Sequence, residues 1–87
     1  MTAQVVVYST GTCSICEKTK ACLQKWKIPY EERRVDKDKA ALKAMLQVSQ
    51  NARTVPQIVI EGKCIGGFSE LTEMHMDGDL DHLVQKD

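Results

Sequence analysis

The sequence predicts an α/β fold: a four-stranded mixed sheet, in the order β-α-β-α-β-β-α, with helices on both faces. Three observations predict it. A β-branched and aromatic run, Val5-Val6-Val7-Tyr8, leads directly into a helical pattern. Two runs in the second half, around Ile58 and Cys64, are separated by Glu61-Gly62, a plausible two-residue hairpin turn. Helical periodicity fills the interval between the first two strand candidates, so a crossover joins them as parallel neighbours. With 87 residues, the chain fits one domain, residues 1–87, whose core is small but workable.

Taken in order, residues 5–9 read as a buried strand. Residues 14–27 read as a helix in which Ile15, Thr19, Cys22 and Trp26 recur at helical spacing and make one buried stripe, widened by Leu23. Pro29 stops it. Residues 30–35 form a charged strand, expected near a sheet edge, and the mixed charges at 31–39 read as solvated surface. Asp36 or Asp38 caps a second helix that runs to about Ser49, with Ala41, Leu42, Met45 and Val48 inward. Residues 54–60 form a third strand containing Pro56, and residues 63–65 return from the turn. Ser69 is expected to cap the last helix, with Glu70 in its first turn, Gly78 breaking it and Asp79 restarting it.

Composition narrows the function. Twelve basic and twelve acidic side chains cancel, so a surface built to hold nucleic acid is not expected. No apolar run approaches the roughly 20 residues of a membrane span, and residues 1–4 do not resemble a secretory signal. Four cysteines, Cys13, Cys16, Cys22 and Cys64, are too few for an extracellular disulfide scaffold. A reducing, cytoplasmic setting is the expectation.

The chemistry centres on Thr12-Cys13-Ser14-Ile15-Cys16. Cys13 falls where the first strand meets the first helix. There, unpaired backbone N–H groups and the helix dipole favour a thiolate over a thiol. Cys16, one turn on, borders the buried face. Cys13 is therefore the exposed nucleophile that attacks a disulfide, and Cys16 the sheltered thiol that resolves the product. A four-ligand zinc site would need a second pair of ligands. Cys22, Cys64, His75 and His82 are not spaced to give one.

Three other segments have two readings each. Pro56 is an ordinary strand-start proline, or, if its peptide bond is cis, it turns the Val55 backbone outward to pair with an extended thiol peptide. Gly66-Gly67-Phe68-Ser69-Glu70 is a plain turn and helix start, or a site for the carboxylate and ammonium of an amino acid. Cys64 is a half-buried strand residue, or, if exposed, a thiol open to glutathionylation. Cys22 and Trp26 are expected to be buried. Met74-His75-Met76 is expected to be part core and part surface.

Over nearly its whole length the chain resembles the glutaredoxins, through Cys13-Ser14-Ile15-Cys16, Thr54-Val55-Pro56-Gln57-Ile58 and Gly66-Gly67-Phe68-Ser69-Glu70-Leu71. The resemblance implies a thioredoxin-like fold with a cis bond before Pro56. It also implies glutathione held beside Cys13. The cysteinyl part would pair with the backbone of Val55, and the γ-glutamyl end would sit at Gly67, Ser69 and Glu70. Thr10, Ile15, Thr54, Pro56, Gly66 and Phe68 complete the expected glutathione-contact set. Two departures bear on rate and affinity rather than on reaction type. Ser14-Ile15 stands where many members have Pro-Tyr, and Thr10 stands where many carry a lysine, a charge that Lys18 or Arg53 would have to replace.

The activity this implies is glutathione-dependent reduction of protein disulfides and protein–glutathione mixed disulfides by a monomer. Two alternatives accompany it. Members without the proline can share a [2Fe–2S] cluster between two subunits, each giving its nucleophilic cysteine, here Cys13, and one glutathione. A redoxin of the same fold can also be recharged by thioredoxin reductase.

Overall fold

The structure, a computed structural model, describes residues 4–84. The apolar run forms β1 (Val5–Ser9). It is followed by α1 (Ser14–Lys25), β2 (Glu31–Arg34), α2 (Lys39–Val48), β3 (Gln57–Ile60), β4 (Lys63–Gly66) and α3 (Phe68–Met76), then a single 3-10 turn (Asp81–Leu83). The sheet order is β2-β1-β3-β4, with β1–β2 parallel and the other pairs antiparallel. This is the thioredoxin-like mixed sheet that the resemblance implies.

Period-two alternation divides the core between the two faces. Val5, Val7, Ile58 and Ile60 point to one face and pack with Leu23, Ile28, Leu71 and Leu80, so α1 and α3 cover that side. Tyr8 and Val59 point the other way and meet Met45 of α2. The charged β2 lies at the edge, as its composition predicts.

Register brings three distant segments to one end of the sheet. Tyr8 pairs with Gln57, so the C-terminal end of β1 lies beside the start of β3. Ile58 pairs with Gly66, so the end of β4 lies there too. The loop carrying Cys13, the Val55–Pro56 segment and Gly66-Gly67 are thereby neighbours. The Glu61-Gly62 turn has positive φ at both residues (52° and 86°), as a tight hairpin turn that follows strand twist requires.

Several boundaries and faces differ from expectation. α1 ends at Lys25, and Lys27 takes a left-handed φ of 59°, so the chain turns before Pro29 can act. Its buried face is Cys16, Thr19 and Leu23, while Ile15 is 50% exposed and Cys22 and Trp26 are half-buried. The predicted stripe is displaced because Cys16 of the first turn is buried and Ile15 faces the open groove with Thr54–Pro56. Trp26 stacks on His75 with ring centroids 3.7 Å apart, which joins α1 to α3.

Asp38, not Asp36, caps α2 through Ala40 and Ala41, and Val48 at its far end is exposed. The ladder of β3 starts at Gln57 rather than residue 54. α3 begins with Gly67 as its cap, which leaves Ser69 inside the first turn and without a capping bond. Gly78 does break the helix, with φ of 80°, but the chain resumes only as the short turn from Asp81.

The charged segment after α1 is tied down more than a solvated surface would be. Glu32 Oε2 accepts from the buried Ser9 hydroxyl at 2.7 Å and from Lys20 Nζ at 2.7 Å. Arg34 donates to both oxygens of Asp36 at 2.9 and 2.8 Å, and Asp36 accepts the Gly11 N–H at 3.0 Å. The Arg34 guanidinium also lies against Gly11, where a Cβ would fall 2.2 Å from its Nη2. The loop ahead of Cys13 is thus clamped to the end of β2.

Lys20, then Ser9, hold the Glu32 carboxyl below the usual carboxylate range, and Arg34, then the Gly11 N–H, do so for Asp36. A carboxyl depressed by folding contributes stability above its unfolded value of about 4 and loses it as pH falls through the folded value. Unfolding free energy is therefore expected to drop below about pH 4, and less steeply in Asp36→Asn. Urea midpoints at about pH 6 and pH 3 check this. Equal losses in wild type and variant would contradict it.

Candidate active site

Cys13 is the N-cap of α1. Its backbone is extended (φ −95°, ψ 108°), its carbonyl accepts the first helical bond from Glu17 at 3.2 Å, and its Sγ accepts the Cys16 N–H at 3.1 Å. A sulfur thus fills the role that a serine or aspartate oxygen usually takes at a helix start. The sulfur therefore sits at the open N-terminal end of α1, facing a backbone N–H. The Cys13 thiol also faces the Val55 carbonyl oxygen at 3.9 Å, across a cis Val55–Pro56 bond.

Cys16 is fully buried. Burial first, and then the neighbouring Cys13 sulfur, push its thiol up to about 12, only partly offset by a hydrogen bond from the Thr10 backbone and by Lys20. At neutral pH Cys16 is therefore protonated and Cys13 is the sulfur a substrate can reach. The partition of roles expected from the sequence rests here on burial and on the direction of one hydrogen bond.

Beside the pair lies an open groove of about 340 Å³. Ile15 contributes from α1, Thr54, Val55 and Pro56 from the approach to β3, and Gly66, Gly67, Phe68, Ser69 and Glu70 from the end of β4 and the start of α3. These are nine of the ten residues expected to contact glutathione. The tenth, Thr10, is not in the lining; its backbone faces Cys16 instead. Ile15, out of place as a core residue, is here a groove wall.

Gly66 has φ of +107°, and a Cβ on it would come within 2.9 Å of Glu70 Oε1. The Glu70 carboxylate therefore folds back over the glycine at the groove's edge. Gly67 has extended backbone and opens α3, whose first N–H groups have no side-chain cap. Lys18 reaches over the Phe68 ring, 5.8 Å from its centroid, and so brings a positive charge to the groove's rim. Arg53 is exposed next to Thr54.

Sequence reasoning missed Gln57. It is buried, and its side-chain amide donates to Thr54 O and Oγ1, both at 3.0 Å, while its oxygen accepts the Cys64 thiol at 3.5 Å. It braces the bend that presents Val55. Its signal was a polar residue inside the apolar run 55–60. Cys64 is half-buried behind Gln57, on a second cavity of about 440 Å³, and is not part of the Cys13 groove.

The family model that matches is Glutaredoxin, over residues 5–65. The chain belongs to the glutaredoxin family. It is 34% identical to Glutaredoxin 1 of Rickettsia typhi over 82 residues, which is 93% of this chain and 79% of that one. It is 34% identical to Glutaredoxin 3 of Escherichia coli over 83 residues, covering 95% of this chain and 99% of that one. The crystal structure of a buckwheat glutaredoxin–glutathione complex superposes with a TM-score of 0.79 at 32% identity, over 94% of this chain and 76% of that one. Glutaredoxins are thiol–disulfide oxidoreductases, and in this glutaredoxin Cys13 and Cys16 are the redox-active pair.

Gly66→Ala tests how the groove's edge is built. A side chain at φ +107° is strained and also meets the Glu70 carboxylate. The variant is expected to lose roughly 1–3 kcal/mol of unfolding free energy, read from urea denaturation. A Gly67→Ala change, whose Cβ meets only the Pro56 carbonyl at 3.5 Å, is expected to cost less. The reverse order would contradict the reading.

Proposed function

We propose that this glutaredoxin is a glutathione-dependent reductase of protein disulfides and protein–glutathione mixed disulfides, working as a monomer in a reducing, cytoplasmic setting. The observation that carries the reading is the groove. It opens beside the capped Cys13 sulfur and offers, along one line, an unladdered backbone at Val55 and the uncapped start of α3 at Gly67-Phe68-Ser69. A cysteinyl peptide can add to the extended chain at Val55 as a strand adds to an edge. A carboxylate at its far end is suited to the N–H groups and dipole of α3. Glu70 is suited to the adjacent ammonium. Glutathione carries all three groups. The glutathione complex of the buckwheat relative supports the same assignment.

In the proposed reaction the Cys13 thiolate attacks the glutathione sulfur of a mixed disulfide. A bond forms between the two sulfurs, and the protein thiol leaves as a thiolate that takes up a proton. A second glutathione thiolate then attacks the sulfur of bound glutathione and frees Cys13, giving oxidised glutathione. With a protein disulfide as substrate, Cys16 performs the release and the Cys13–Cys16 disulfide is left for two glutathiones to reduce. Glutaredoxin potentials of about −200 to −230 mV suit a cytosolic glutathione pool as the reductant.

A [2Fe–2S] cluster takes four ligands. In the shared-cluster alternative this chain would supply one of them, the Cys13 sulfur at the open end of α1, with the others from a second copy and two glutathiones. No step above runs through a cluster.

The test is turnover of a glutathionylated peptide with glutathione, glutathione reductase and NADPH. Cys13→Ser is expected to abolish it. Cys16→Ser is expected to keep it but to lose reduction of a protein disulfide. Activity retained in Cys13→Ser, or no turnover in folded, reduced wild type, would overturn the proposal.

A further inference from the structure

The resolving step sets a problem that the groove does not address. Cys16 has no exposed surface, and its sulfur must become anionic as it attacks. Three elements converge on it. β1 ends at Ser9, and the Thr10 backbone just beyond it faces the Cys16 sulfur and lowers its pKa. Lys20 lies four residues on in α1, which sets its side chain on the same helix face, with Cβ atoms about 5–6 Å apart. Glu32 reaches in from β2 and takes both the Ser9 hydroxyl and the Lys20 ammonium.

Lys20 is not a loose surface lysine. Its side chain is only 15% exposed, and its Nζ is gripped at 2.8 Å by Glu17 and at 2.7 Å by Glu32. Two carboxylates hold one ammonium in place and keep it charged. Glu32 is in turn fixed by the fully buried Ser9. A chain of this kind costs side-chain entropy and partial desolvation. Besides the stability that the depressed Glu32 carboxyl contributes, it stands one helical turn from the buried sulfur. It fixes an ammonium, held between two carboxylates, near the place where negative charge develops, and a group held in this way acts without reorganising.

We propose that Lys20, oriented by Glu17 and Glu32, is a positioning residue for the resolving half-reaction: its ammonium stabilises the charge that builds on Cys16 as Cys16 attacks the Cys13 mixed disulfide. In that step the Cys16 S–H proton is lost and a Cys16–Cys13 bond forms. The bond from Cys13 to the substrate sulfur breaks, and that sulfur leaves with the electron pair and ends protonated. The two protein thiols are oxidised together and the substrate disulfide is reduced. Release of Cys13 by an external thiol does not use Cys16 and so does not draw on Lys20. Lys20 thus biases this glutaredoxin toward the two-cysteine route. The inference rests on the assignment of Cys13 and Cys16 as attacking and resolving thiols, but not on glutathione as the ligand.

The test needs no glutathione. In a Cys22→Ser/Cys64→Ser background, Cys13 is converted to its mixed disulfide with thionitrobenzoate at low pH. A jump to neutral pH then starts Cys16 attack, followed as release of the coloured thiolate. Cys16→Ser sets the zero. Lys20→Gln is expected to slow release about tenfold, on the scale of one screened charge at that separation, and Lys20→Arg to restore it to within about twofold. Thermal melts establish that each variant is folded. Release in Lys20→Gln at the wild-type rate overturns the proposal. So does equal slowing in Lys20→Gln and Lys20→Arg, which is what a merely structural lysine would give. Absence of glutathione-driven turnover, with release behaving as expected, would sink the glutathione reading and leave this one standing.

Discussion

The geometry of the cysteine pair depends on one hydrogen bond, from the Cys16 N–H to the Cys13 sulfur at 3.1 Å. That bond makes a cysteine the cap of α1. A cap has extended backbone and a side chain directed back at the helix's open N–H groups, so the sulfur is held at the positive end of the dipole and at the surface. The same turn carries Cys16 inward. Two chemically identical side chains three residues apart thereby become different reagents, one reachable at the open end of the helix, the other fully buried with its thiol pushed up to about 12.

Everything else at the site is delivered by the sheet. β1 is central, paired parallel to β2 and antiparallel to β3, and the loop after it must therefore emerge beside the start of β3 and the end of β4. The groove is assembled from segments about fifty residues apart in sequence because three strand ends coincide there. Polar ties then fix the pieces. Asp36 and Arg34 hold Gly11 ahead of Cys13. Gln57 braces Thr54 next to Val55, and Glu70 folds over Gly66.

Local chemistry made much of this legible in the sequence. The Glu61-Gly62 turn, the strand alternation, the edge position of a charged β2 and the contrast between Cys13 and Cys16 all follow from neighbours a few residues apart. The parts not legible depend on what covers a residue from afar. The spacing of Ile15, Thr19, Cys22 and Trp26 is a true helical stripe, but Ile15 lines the groove and the buried face rotates to Cys16 and Leu23. Ser69 has the chemistry of a cap, yet the backbone enters the helix earlier, at the extended Gly67. Charges were visible at 17, 20, 32, 34 and 36, and Lys20–Glu17 and Arg34–Asp36 are local pairs, but the ties from Glu32 to Ser9 and Lys20 and from Asp36 to Gly11 join different elements. Of the two places foreseen for a cation to replace the absent lysine, the structure brings Lys18 to the groove's rim, over Phe68.

The central claim is that the groove running from Val55 to the start of α3 receives the molecule attached to Cys13. The most direct measurement is a comparison of amide chemical shifts of Cys16→Ser before and after glutathionylation. The account predicts the largest changes at Val55 and across residues 67–70, along with Cys13 itself. Changes confined to residues 12–16 would contradict it, because they would describe a glutathione that hangs from the sulfur without using the groove.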